Sequence, residues 1–447
     1  MRREASGAAI RTTGVRFACG VFCAGIAAAA GGEIPVTEFL QSVERDETLA
    51  THQRQLRADG FTGIPYIQDV EFQIRNEAFD VRRQRYTVQV SPKAPGEEGA
   101  SRDLLKRLSD RNRGTFELLR NEALKSRYGI VLNAMEGSTL ARLYEGLAKL
   151  ENERIRVLER QSVTDAFDLG DILRAEASLT RHRERAEEAR ALEAQALERA
   201  RVALNGGAEA PEGREVSGFD TIGIVSVESV LRRLDALEAV VGAQDPDNVH
   251  LRGAHDDAAT TDARYRLALA ENRRFLRFVE FGYDHGRRLN ELDDRDRGRP
   301  YDLDRAYLVE VGFRLPWIGG DRGEVVRRRA ETLNRQAELQ HDAVRVAADL
   351  REELRRIRAL AARHAALEAR VAELDIPARL ERYTALGAAD PLVILTLRQA
   401  QWENALRREE VRFEILRRYI DAADLAGALS RRPVRNLLSA QGEALLP

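Results

Sequence analysis

Cysteine is almost missing from this 447-residue chain. The only two, Cys19 and Cys23, lie in its first 30 residues. Without that segment no disulfide and no thiol chemistry is available. Aromatic residues make up 6 % of the chain, and tryptophan occurs twice. A basic excess is also lacking, since the formal net charge is −2, and nucleic-acid binding has no electrostatic support. Beyond the N-terminus no apolar run approaches the roughly 20 residues of a spanning helix. Any membrane passage would therefore have to use a barrel.

Charged residues make up 32 % of the chain, and Ala, Leu, Arg and Glu fill long stretches. That is the composition of long helices and coiled coils. Residues 1–30 read as an export signal. Arg2, Arg3, Arg11 and Arg16 precede an apolar run from Phe17, and Ala27–Ala30 offers a cleavage site. Its removal would take the net charge from −2 to −5, because it carries four Arg and one Glu.

The remainder reads as a duplicated unit of helix, two strands and helix. Residues 33–59 predict one helix. A first repeat over 31–218 holds strands near 64–92 and helices near 102–204. A second over 219–427 holds strands near 274–315 and helices near 321–425. Residues 428–447 form a tail, expected to be weakly ordered after Gly427 and Pro433. Each repeat turns at a similar place, Asp165–Leu173 in the first and Gly387–Leu395 in the second. Pro377 should interrupt or kink the helix before the second turn. Val344, Ala347, Leu350, Leu354, Ile357 and Ala361 keep the three-four spacing of a packing seam.

The strands alternate. Val70, Phe72 and Ile74 point one way, and Asp69, Glu71, Gln73 and Arg75 the other. Tyr86, Val88 and Val90 follow, then Val279, Phe281 and Tyr283, then Tyr307, Val309, Val311 and Phe313. This pattern suits a half-buried soluble strand. It also suits a transmembrane strand with lipid outside and water inside. Tyr283, Tyr307 and Trp317 fall at strand ends, as interface girdles do. Four strands cannot close a barrel, and lipid does not tolerate open edges. In the transmembrane reading several copies must pool their strands. Glu71, Glu280, Glu310 and Arg314 would then face the lumen.

The stretch Val311-Gly-Phe-Arg-Leu-Pro-Trp-Ile-Gly-Gly320, with Ala330 in the following helix, resembles the strand-Pro-Gly-Gly-helix signature of TolC-like outer-membrane efflux channels. Arg382-Tyr383 through Gly387 to Leu395 and Gln399 is similar to that family's second helical-tip motif. Asp165–Ala177 is similar to its first, and Asp245-Pro246 to the turn before a long helix. The resemblance covers roughly residues 35–427. It implies a mainly α fold with short β-strands. Long α-helical hairpins would form a periplasmic barrel, and each protomer would supply four transmembrane strands. It further implies a homotrimer in outer-membrane lipid, docked through a periplasmic adaptor protein onto an inner-membrane transporter. Under it Asp165, Asp168, Asp171, Leu386, Gly387 and Asp390 would sit at the constriction or adaptor-docking tips.

Asp168, Asp171 and Asp390 also fit a simpler role as helix caps. His250, His255, Asp256 and Asp257 carry metal-ligand atoms but read as a solvated helix face. Trp402 reads as helix packing. No Ser/His/Asp set, phosphate loop or paired carboxylates stand out, so no enzyme chemistry, cofactor or metal is expected. The rival to a passive conduit is a non-conducting periplasmic coiled-coil scaffold.

Overall fold

A computed structural model describes residues 32–58, 66–76, 84–161, 169–205, 216–220, 224–241, 248–285, 306–313, 322–385 and 390–440. Elements are numbered in chain order. The first half holds β1 (Gly32–Ile34), α1 (Val36–Gln41), α2 (Glu47–Ala58), β2 (Ile67–Asn76), β3 (Gln84–Pro92), α3 (Glu97–Gln161) and α4 (Leu169–Asn205). The second holds β4 (Val216–Phe219), α5 (Val227–Val241), α6 (Val249–Asn272), β5 (Leu276–His285), β6 (Ala306–Phe313), α7 (Arg322–Leu374), α8 (Ile376–Ala385) and α9 (Pro391–Leu425).

α3 has 65 residues, about 98 Å of helix at 1.5 Å per residue. No proline interrupts it, and Glu97 and Glu98 occupy its first turn, where acidic side chains suit the helix dipole. α3 packs along α4 and α9, and also along α6, which in turn packs along α7. The result is a sheaf of long helices with a four-stranded sheet attached.

Mid-length, the helices meet in one main core. Tyr128, Val131, Leu132 and Met135 of α3 join Leu234 and Leu237 of α5, Leu354 and Ile357 of α7, and Ile415, Leu416 and Tyr419 of α9. The N-terminal segment belongs to this core. Ile34, Phe39 and Leu40 are fully buried, and the Phe39 ring lies 5.2 Å from that of Phe219. A parallel β1–β4 pair fastens the segment there.

Several sequence expectations need correction. Residues 33–59 are not one helix. Pro35 starts α1, a 3₁₀ turn covers Ser42–Arg45, and extended Asp46 breaks the run before α2. The Asp46 carboxylate then accepts from the Thr48 backbone amide at 3.1 Å, which favours a fresh start over continuation. The expected seam holds at Leu350, Leu354, Ile357 and Ala361, whereas Val344 is 70 % exposed. The break near Pro377 falls at Asp375, whose φ of 37° places it in the left-handed region between α7 and α8.

The tail differs most. Leu429, Leu437 and Leu438 are buried in the main core. Arg233, itself 4 % exposed, donates to the carbonyls of Leu437 (2.7 Å) and Ser439 (2.8 Å). The Tyr128 hydroxyl donates to the Arg435 carbonyl and accepts from the Leu437 amide. Residues 428–440 thus form a strap, because a buried cation satisfies carbonyls that water would otherwise take.

Candidate functional site: a two-faced sheet and the helical tips

The two hairpins form one antiparallel sheet in the order β2-β3-β5-β6. The β3–β5 pairing joins the two hairpins, and β2 and β6 are the outer strands of the sheet. Register aligns the apolar positions in three rows. Val70, Val90, Val279 and Val311 form one, and Phe72, Val88, Phe281 and Val309 the next. Ile74, Tyr86, Tyr283 and Tyr307 form the third, with the Tyr283 and Tyr307 rings 5.5 Å apart. Phe313 continues the same face by strand parity.

The opposite face is polar. Glu71, Gln89, Glu280 and Glu310 lie in one row, and Gln73, Thr87, Gly282 and Leu308 in the next. Arg314 and Trp317 lie outside the described residues, as does the Leu315–Gly320 part of the strand-Pro-Gly-Gly motif.

Exposure runs opposite to that of a soluble half-sheet. Phe72, Phe281, Val309 and Phe313 on the apolar face are 55–68 % exposed. Thr87 on the polar face is 5 % exposed. A Cβ at Gly282 would stand 3.2 Å from Leu308 and 3.3 Å from Thr87. On the polar side Gly282 thus sits closely between Thr87 and Leu308 of the neighbouring strands. Val70, Ile74, Val88 and Val311 are also more than a third exposed. Left in water, these eight side chains forgo about 1 kcal/mol each. The total, about 8 kcal/mol, rivals the whole stability of an ordinary domain, about 5–15 kcal/mol.

A buried ion pair joins sheet to helices. Glu97, at the start of α3, accepts from the Ala94 amide at 2.7 Å and from Arg274 at 2.6 Å. Arg274 also reaches Gln68 on β2. One carboxylate thus ties the end of the first hairpin to the start of the second.

At the tips, Asp165, Asp168, Leu386 and Gly387 lie outside the described residues. Asp390 caps α9, its carboxylate accepting from the Leu392 amide at 2.9 Å, with Pro391 opening the helix. Asp171 lies in the first turn of α4 and pairs with Arg174 at 2.5 Å. Leu169 and Leu173 beside it are 60 % and 57 % exposed.

The His250 region is a structural joint. His250 Nε2 lies 2.9 Å from Asp424 Oδ1, and Asp257 pairs with Arg111 at 2.6 Å. Asp424 also accepts from Asn121 at 2.5 Å and Lys125 at 2.9 Å. Burial alone would raise its pKa, but donation from His250, Lys125 and Asn121 outweighs that and brings it to about 2. Among the described residues no three His, Cys, Asp or Glu side chains gather as a metal site. Trp402 packs between helices, its ring lying over Gly146 of α3. Beside it opens a groove of about 960 Å³ lined by Arg142, Glu193, Arg408, Glu409 and Arg412. Among the described residues no helix is long and apolar enough to cross a membrane.

No family model and no curated protein sequence matches the chain. Solved structures do. The outer-membrane channel OprN superposes with a TM-score of 0.61 at 16 % identity, over 88 % of this chain and 89 % of that one. The outer membrane protein VceC of Vibrio cholerae gives 0.59 at 12 % identity, over 88 % and 96 %. The open-state outer-membrane channel MtrE of Neisseria gonorrhoeae gives 0.59 at 13 % identity, over 90 % and 91 %. The chain has the fold of these outer-membrane proteins: long helices plus a small β domain. The resemblance to the TolC-like class noted in its motifs thus extends to the architecture.

Proposed function

We propose that this protein is an outer-membrane channel, a passive conduit from periplasm to exterior within an efflux or secretion system. The exposed apolar face of its four-stranded sheet carries this reading. Water is the wrong solvent for that face, and lipid suits it. The polar face would line a wet lumen. β2, β3 and β5, at 9–10 residues, fit the roughly 9–11 that a tilted transmembrane strand requires, and β6 has 8 among the described residues.

Closure then needs sister copies. With four strands each, three protomers would make a twelve-stranded barrel, in which β6 of one chain pairs with β2 of the next. Exposed Val326, Leu333 and Val344 on α7 fall on one helical face and would meet a neighbour in the same way. OprN and MtrE are described as outer-membrane channels, and by analogy this chain would work with a periplasmic adaptor and an inner-membrane pump. The residues given above as lipid-facing would contact acyl chains. The tip carboxylates Asp165, Asp168, Asp171 and Asp390 would converge near the threefold axis. Asp390→Ser separates two roles there, because serine keeps the cap and removes the charge.

The test is envelope fractionation followed by an unheated denaturing gel. The channel reading expects an outer-membrane, detergent-resistant trimer that runs as a monomer after boiling. A soluble periplasmic monomer would instead identify a scaffold.

A further inference from the structure

Roughly three helical turns above the first tip, one carboxylate oxygen is shut between helices without a hydrogen bond. Glu151 of α3 is 2 % exposed, and its Oε2 is buried with no hydrogen-bond partner among the described residues. Ten residues separate it from Gln161 at the end of α3, about 15 Å along the axis. Below it, Ile155 and Leu158 pack against Ala175 and Leu179 of α4.

The charged groups around Glu151 come from α3 and α9. Arg154 of α3 directs its guanidinium to Gln399 Oε1 of α9, at 3.4 Å. Gln399 in turn donates to Glu403 of α9 at 3.0 Å. On α4, His182 stacks its ring on Tyr144 and has Glu403 and Arg181 as charged neighbours. The nearby cation is therefore turned elsewhere, and the nearest second acid repels. Burial pushes the Glu151 acid above the usual carboxylate range; Arg154 opposes this and Glu403 adds to it. Burial holds His182 below its ordinary value, so it adds no charge to compensate at neutral pH.

We propose that Glu151 is a proton-operated latch in the seam between α3, α4 and α9. Carrying its proton, it lets the seam close. Ionised, it draws water in and loosens α9 from α3 just above the tip. A buried carboxylate without a partner is costly charged and cheap neutral. The sign follows from linkage: an acid held high in the folded chain contributes stability below its ordinary value, and that contribution disappears as pH rises through its folded value. This inference rests on helix packing within one protomer and stands apart from the channel reading.

The experiment is thermal unfolding of the full-length, detergent-solubilised protein from pH 5 to 8, with E151Q and E403Q alongside. The wild-type Tm should fall as pH rises, while E151Q keeps its low-pH Tm and loses the slope. E403Q removes the repelling acid, so its midpoint should move to lower pH. Hydrogen exchange, corrected for intrinsic rates, should rise at pH 8 across residues 144–158 and 396–406 in the wild type and not in E151Q. An E151Q protein with the full wild-type slope would overturn the proposal. Should E151Q not fold, an unmoved midpoint in E403Q would overturn it equally.

Discussion

Gly146 of α3 lies directly beneath the indole of Trp402 on α9. A Cβ at position 146 would come within 2.5 Å of the ring. The missing side chain and the largest one make a single contact, which sets how near the two helices run. Gly137 does the same towards α4, where a Cβ would meet the Ala189 carbonyl at 2.7 Å.

Gly146→Val should therefore force α3 and α9 apart. Helix propensity favours the change by a few tenths of a kcal/mol, and the clash outweighs it. The expected loss is about 2 kcal/mol, as for other overpacked interiors. Denaturant unfolding measures it. Gly146→Val with Trp402→Ala should recover much of the loss, which a general helix effect would not.

Asp424 predicts a pH dependence opposite in sign to that of Glu151. Its folded pKa of about 2 lies below the ordinary carboxylate value of 3.8. Its contribution is thus present above pH 4 and disappears as pH falls from about 4 to about 2. Asp424→Asn should remove about 2 kcal/mol at pH 7 and flatten that acid limb in a Tm-against-pH series.

Arg233 predicts the fate of the C-terminal strap. Arg233→Ala leaves the carbonyls of Leu437 and Ser439 buried without their donor. A cost of about 2–4 kcal/mol is expected, and limited proteolysis should then cut within residues 428–440 well before the helices. Equal protease resistance in the variant would show that Leu437 and Leu438 hold the strap alone.

The legibility of the fold in the sequence follows the physics of each element. Strand parity is local, so Val70, Phe72 and Ile74 announce one face from their spacing, and register only extends it across Val88 and Phe281. Long helices without proline are equally plain from composition. The strap was not legible. Its order comes from Arg233 and Tyr128, which are hundreds of residues away, while locally only Gly427 and Pro433 speak. The Glu97–Arg274 tie and the Asp424 joint are long-range for the same reason. Glu151 carries no signal either: among so many helical glutamates, only packing distinguishes the one that is buried. Asp390 could be read as a helix cap, and the structure places its carboxylate in that role.

The account stands most directly on which solvent meets each face of the sheet. Residues 31–447 contain no cysteine, so single cysteines can be placed cleanly at positions 71, 72, 88, 89, 280, 281, 309 and 310. Each would carry an environment-sensitive fluorophore in the protein embedded in lipid. The predicted result is strict alternation. Labels at Phe72, Val88, Phe281 and Val309 should be quenched by lipid-borne quenchers, and those at Glu71, Gln89, Glu280 and Glu310 by aqueous ones. Aqueous quenching at all eight positions would contradict it.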